Sequence, residues 1–219
     1  NRMTMISLLL QNSSGEMSVG VASGKKLLFD SNLDIELAGS RNVGLHVKSA
    51  LENSNKIVAD LNFVFVDIGP GGLGATRTTA AFANALGFAR KIPVIGINAF
   101  ELLGDHLESI ERKPVVCVRP AARPNYYVGL YKNQNLTDFS FLGVEKVQAF
   151  IRQYEDTAAF AGKFLFNATT EPIEKSWPSP VVNKASMVSF LRVALRKYQL
   201  GIRTMQVFPI TETLVETAN

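Results

Sequence analysis

Between Phe63 and Ile97 the sequence reads FVFVDI, GPGGLGATR, TTAAFANALGFARK and IPVIGI, a succession that few folds accommodate. The β-branched and aromatic run, closed by glycines, predicts a strand covered on both faces. The Ala-rich segment predicts a helix with Phe82, Leu86 and Ala89 on one face and Ala80, Ala83, Asn84 and Gly87 on another. Pro93 ends that helix, and Val94 to Ile97 supplies a second strand. A strand, turn, helix and strand in this order place the two strands parallel.

The glycine turn admits several chemistries. Gly69, Gly71 and Gly74 satisfy the dinucleotide spacing G-x-G-x-x-G, but Asn98 stands at the end of the second strand, where a ribose-binding carboxylate is expected. Gly69, Gly74 and Thr76 also approach a P-loop, but Ala75 occupies the lysine position and a methyl group cannot neutralise phosphate. Otherwise the glycines simply let the chain turn sharply and bring a helix close to a sheet.

The same stretch resembles a known family. GPGGLGATRTTAAFANALGFARKIPVIGINAFELL is similar to the GPGSFTGLR loop, helix and following strand of the TsaB (YeaZ) family of tRNA threonylcarbamoyladenosine (t6A) biosynthesis proteins. ISLLLQNSSGEMSVGVA resembles that family's opening motif, and VVCVRPAARPNYYVGLY its second-lobe motif. The resemblance covers roughly the first 130 residues and implies an α/β, two-lobed ASKHA (actin-like and sugar-kinase-like) fold with mixed sheets. In function it implies a non-catalytic scaffold that supports the catalytic subunit TsaD, with the ATPase TsaE, in threonylcarbamoyl transfer to tRNA adenosine 37. It also implies homodimers when the chain is alone. Other classes stay open: an ASKHA nucleotide-dependent enzyme, a peptidase, or a dinucleotide-binding oxidoreductase.

In chain order, Ile6 to Leu10, Met17 to Ala22 and Leu27 to Leu33 predict an antiparallel meander. A helix from near Arg41 to Asn53 follows, with Ser40 as N-cap. After the parallel unit comes a short helix from Ala99 to Leu107, and a charged stretch ending at Pro114 marks a boundary, giving lobes 1–108 and 109–219. The second lobe repeats the order: strands at Val115 to Arg119, Tyr126 to Lys132 and Thr137 to Leu142, a helix from Gly143 to Tyr154, and a strand at Lys163 to Phe166. Thr169 to Pro180 reads as a loop anchored by Trp177, Asn183 to Leu200 as a long helix, and the tail after about residue 200 as a return to the first lobe.

Composition narrows the chemistry. The chain has 219 residues, 47% of them hydrophobic, enough for a sizeable core. Its charge of +4 and pI near 9.2 come without a dense basic run, so no direct nucleic-acid contact is expected from this chain alone. No apolar run reaches the roughly 18 residues of a membrane span. The single Cys117 lies in an apolar strand and fits a reducing cytoplasm. His46 and His106 are the only histidines, neither Ser13 nor Ser14 is tied to one, and no CxxC, HExxH or HxH pattern occurs, so no catalytic residue and no metal ligand is assigned.

By resemblance, the nucleotide site lies near Gln11, Asn12, Ser13, Gly69, Gly71 and Gly74, but it is degenerate. Gln11 replaces the acidic residue of the first turn, and Pro120-Ala121-Ala122 replaces the acidic motif of the second. Without those carboxylates Mg²⁺ has no hard anionic anchor, so no cofactor is expected. The expected partner surface joins Val43, His46, Val47 and Ala50 of the first helix to Ala80, Ala83, Asn84 and Gly87, whose small side chains would let another backbone approach in a four-helix bundle.

Overall fold

The computed structural model describes residues 5–122, 124–164 and 182–216. Among the described residues nine strands and six α-helices form two compact units, 1–99 with 186–209 and 100–185 with 210–219.

In the first unit β1 (Ile6–Gln11) pairs antiparallel with β2 (Ser18–Ser23), and β2 with β3 (Lys26–Asp30). On its other side β1 pairs parallel with β4 (Phe63–Asp67), and β4 with β5 (Val94–Ile97), giving the order β3-β2-β1-β4-β5. The expected mixed sheet, with the first strand beside the FVFVD strand, is therefore present. Helices α1 (Val43–Asn53) and α2 (Leu73–Arg90) cover one face. Leu8, Leu10, Val19, Val21, Val64 and Val66 meet Val43, Val47, Ala50, Leu51, Ala80 and Ala83 there. Each fully buried Val or Leu contributes on the order of 1.5–3 kcal/mol to folding, so this layer is a large contributor to the unit's stability. Helix α5 (Met187–Gln199) packs on the same sheet, and residues beyond it stay with this unit. There Thr204 exchanges hydrogen bonds with Val94 on the edge strand.

The second unit repeats the strand order with α3 (Ala99–Glu111), β6 (Val115–Pro120), β7 (Asn125–Lys132), β8 (Asn135–Gly143), α4 (Val144–Gln153) and β9 (Ala159–Gly162), ending in α6 (Glu212–Glu216). Its sheet runs β8-β7-β6-β9, with β6 and β9 parallel. Helix α4 covers one face through Val147 and Ile151, and α3 lies with Cys117, Tyr127 and Tyr131 in the core of the other.

Several boundaries differ from expectation for local reasons. Strand β3 stops at Asp30 because Asp30 and Asp34 cap two successive 3-10 turns, at Ser31–Leu33 and Ile35–Leu37, by accepting from the Asn32 and Glu36 amides. The N-cap of α1 is Asn42 rather than Ser40, its side chain accepting from Leu45 N–H at 3.0 Å. Among the described residues the fourth strand of the second sheet is Ala159–Gly162, upstream of the predicted 163–166, because Val115 to Val118 take those residues as parallel partners; residues 165–166 lie outside the described residues. Helix α5 starts at Met187, capped by Ser186. The expected loop at 169–180 with Trp177 lies outside the described residues. No helix among the described residues is long and apolar enough to cross a membrane.

Candidate functional site

Because β1 and β4 are parallel neighbours, the turn after β1 and the glycine loop after β4 leave the same edge of the sheet, where open α/β sheets place their ligands. Gln11, Asn12 and Ser13 are all buried there, against the loop that carries Gly69 and Gly71. The residue that joins them is Asp67, fully buried at the end of β4. One carboxylate oxygen accepts from the Ser13 amide and the other from the Gly69 amide, both at 2.9 Å. Ser13 in turn accepts from Gly72 N–H at 3.1 Å, and the Asn12 carboxamide donates to the Ala75 carbonyl at 3.3 Å. Gln11 donates to Ser18 Oγ at 3.4 Å.

Two of the glycines are explained by this clasp. A Cβ on Gly71 would stand 2.1 Å from the Ser13 carbonyl oxygen, and Gly69 has φ +90°, a conformation that L side chains rarely adopt. Gly74 is different: it is exposed, and a Cβ there would meet nothing within 4 Å. A dinucleotide loop needs its third glycine for close helix–strand packing, so that reading does not fit.

The second unit has a counterpart. The hairpin between β6 and β7 occupies the place that the turn after β1 holds in the first unit, and its Ala122 amide donates to Glu212 Oε1 at 2.8 Å. In each unit, then, an amide of the first hairpin turn is held by a carboxylate of that same unit. Beside this hairpin, Arg119 is buried on β6, with Nε donating to Asn183 Oδ1 at 3.0 Å and Nη2 to the Asn183 carbonyl at 2.6 Å. Cys117, two residues earlier, donates to the Phe100 carbonyl at 3.7 Å, and burial pushes its thiol up to about 12 against a smaller opposing pull from Arg119. Desolvation raises the Tyr127 hydroxyl to about 12, and the Glu212 charge adds to the shift. His46 is buried with Nε2 3.0 Å from the Ser40 carbonyl, so it ties down the approach to α1. Among the described residues no three His, Cys, Asp or Glu side chains gather as metal ligands.

Sequence reasoning did not find Asp67, Glu212 or Arg119. Only Asp67 gave a signal, as the single charge in FVFVDI.

Residues 38–145 match the family model described as "TsaD: tRNA N6-adenosine threonylcarbamoyltransferase". The threonylcarbamoyltransferase of Clostridium novyi is 28% identical over 55% of this chain and 35% of its own length. The TsaB biosynthesis protein of Buchnera aphidicola is 25% identical over 61% of this chain and 63% of its own length. This chain thus spans under two thirds of each of those relatives. YeaZ from Pseudomonas aeruginosa superposes with a TM-score of 0.68 at 15% identity, covering 94% of this chain and 99% of that one. The chain has the fold of YeaZ. Its fold is ASKHA-like, as the resemblance implied.

The partner surface that the resemblance implied is placed differently from the prediction. Val43, His46, Val47, Ala50, Ala80, Ala83 and Gly87 are all buried within the first unit. The small residues of α2 bring it down onto its own sheet: a Cβ on Gly87 would lie 2.2 Å from a Val94 methyl. Asn84, half-buried, holds the backbone of Val207. The outward sides of these helices carry Leu45 on α1 and Ala81, Ala85 and Phe88 on α2, with Phe88 85% exposed.

Proposed function

We propose that this chain acts in tRNA threonylcarbamoyladenosine biosynthesis as a non-catalytic subunit that holds a TsaD-type transferase, with a TsaE-type ATPase as further partner and a homodimer as its form when alone. The observation that carries the reading is the clasp of Asp67 on Ser13 and Gly69 at the edge where an ASKHA protein binds its nucleotide. The turn amide that would face a phosphate is bonded to an internal carboxylate, and Gly71 brings the loop against the Ser13 carbonyl. A metal-dependent phosphoryl transfer needs carboxylates free to hold Mg²⁺, and here Gln11 and Pro120 stand in their places.

The docking surface we assign is the outward side of α1 and α2. Ala81, Ala85 and Phe88 recur at i, i+4 and i+7, which puts them on one helical stripe, and Leu45 is exposed on α1. The occupant is a TsaD-type chain, because the family model that matches α1 and α2 is the transferase's own and the two proteins would present related helices to each other. A helix-on-helix interface fits two such apolar stripes.

The test is reconstitution. The chain is mixed with the TsaD-type and TsaE-type proteins of the same genome, and threonylcarbamoyl transfer to tRNA is measured with each component withheld. Transfer that requires this chain, together with co-elution of chain and TsaD, supports the reading. Transfer that proceeds equally without it overturns the reading.

A further inference from the structure

We propose that the edge of the first unit opposite the glycine loop is a binding site for an RNA phosphate backbone. The choice of tRNA as its ligand rests on the function proposed above.

The cations of this site are far apart in sequence and are gathered by topology. Strands β1, β4 and β5 are parallel, so Ile6, Phe63 and Val94 begin at one edge of the sheet. The β2–β3 hairpin turns at that edge, since Ser23 pairs with both Ile6 and Lys26, and it presents Lys25 and Lys26 to solvent. Helix α1 delivers Lys56 there through the loop leading to β4. Helix α2 ends there in Arg90 and Lys91, with Arg90 Nη2 donating to the Ala59 carbonyl at 2.8 Å. The segment after α5 brings Arg203, whose guanidinium lies 4.2 Å from the Tyr198 ring centre and 5.1 Å from that of Phe63.

Six cations thus share one edge. The carboxylates nearby are fewer: Asp60, which accepts from the Ile57 amide, and Glu52, which lies 3.9 Å from Lys48. Lys25, Lys26, Lys56, Lys91 and Arg203 make no ion pair among the described residues, and Arg90 Nε is buried without a partner. Glu16 and Asp67 sit at the opposite edge. The asymmetry extends to the units, since the first holds 13 Lys and Arg against 7 Asp and Glu, and the second 10 against 12.

Two features favour RNA over the other polyanions. The Phe63 and Tyr198 rings meet edge to face at 5.1 Å beside the Arg203 guanidinium, and aromatic rings and a guanidinium plane are the groups on which an unpaired base can stack. The cations sit on turns and helix ends, whereas a membrane-surface site carries its basic residues along one face of an amphipathic helix.

The experiment is fluorescence anisotropy of a labelled tRNA transcript titrated with the full chain over a series of salt concentrations. The expected result is a dissociation constant in the micromolar range at low salt. Affinity should then fall with log salt at a slope of about −0.7 to −0.9 per phosphate contacted. The pairs K25E/K26E and K91E/R203E should each weaken binding at least tenfold and flatten the slope by about 2. The control pair R41E/R77E, on the starts of α1 and α2, should behave as the parent, with thermal melts confirming that every variant is folded. The proposal is overturned if the parent shows no binding at low salt, or if the control pair weakens RNA as much as the edge variants do. It is equally overturned if the edge variants keep their RNA affinity and instead lose phosphatidylglycerol vesicles or the TsaD partner. A chain that co-elutes with TsaD but ignores tRNA removes this site and leaves the proposed function standing; the converse removes the function and leaves the site.

Discussion

The Asn84 carboxamide holds both backbone groups of Val207, 123 positions away: Oδ1 accepts from the Val207 amide and Nδ2 donates to its carbonyl, each at 2.9 Å. This pair fixes the segment that follows α5 on its own unit, where Val207 joins the core under α1 and α2. Replacing Asn84 by Ala leaves two backbone groups without partners and should cost about 1–3 kcal/mol, read as a lowered urea midpoint. Hydrogen exchange should show the Val207 amide losing protection; unchanged protection would mean the clamp is not what holds the segment.

The two sides of α2 should respond oppositely to charge. Ala83→Glu and Gly87→Glu force a carboxylate into the core and should lower stability by several kcal/mol, a large share of the roughly 5–15 kcal/mol a domain possesses. Ala81→Glu and Ala85→Glu should melt like the parent and fail to co-elute with TsaD in light-scattering chromatography. Folded, partner-binding variants at 81 and 85 would place the docking surface elsewhere.

Nucleotide affinity should be low. Calorimetric titration with ATP and Mg²⁺ should give a dissociation constant above roughly 100 μM, under about 5.5 kcal/mol of binding. Micromolar, Mg²⁺-dependent binding would contradict the closed clasp.

The Cys117 thiol provides a pH test. Its native value of about 12, against 9.0 for the free group, means that above pH 9 the unfolded chain releases a proton that the native chain keeps. The stabilisation is complete below pH 9 and declines as pH rises toward 12, by at most about 1.4 kcal/mol per unit. Cys117→Ala should show a shallower alkaline decline in stability than the parent. At pH 8 an aromatic disulfide reagent should label the thiol only after denaturation; rapid labelling of the native chain would refute its burial.

The strands and the βαβ unit were legible because runs such as FVFVDI and IPVIGI report burial directly. The faces of α2 were not. Ala80, Ala83 and Gly87 looked like a surface prepared for another backbone, and the backbone they approach is the chain's own β5, a distinction that composition cannot make because close packing asks for small residues in either case. The clasp was half legible: the glycines stood out, but Asp67 lies 54 positions from the Ser13 amide it accepts, and no local pattern records such a pairing. The cationic edge was invisible for the same reason, since Lys25, Lys56, Lys91 and Arg203 become neighbours only once the parallel strands are aligned.

The carboxylate of Asp67 can also be viewed as a tethered competitor. A solute phosphate seeking the Ser13 amide must displace a ligand that is already in place and belongs to the same chain, at an effective concentration that a bound group maintains whatever the surrounding medium contains. Restoring an acidic residue at Gln11 would therefore supply a metal anchor without vacating the amide. A nucleotide site would reopen in this unit only through changes on two strands, β1 and β4, made together.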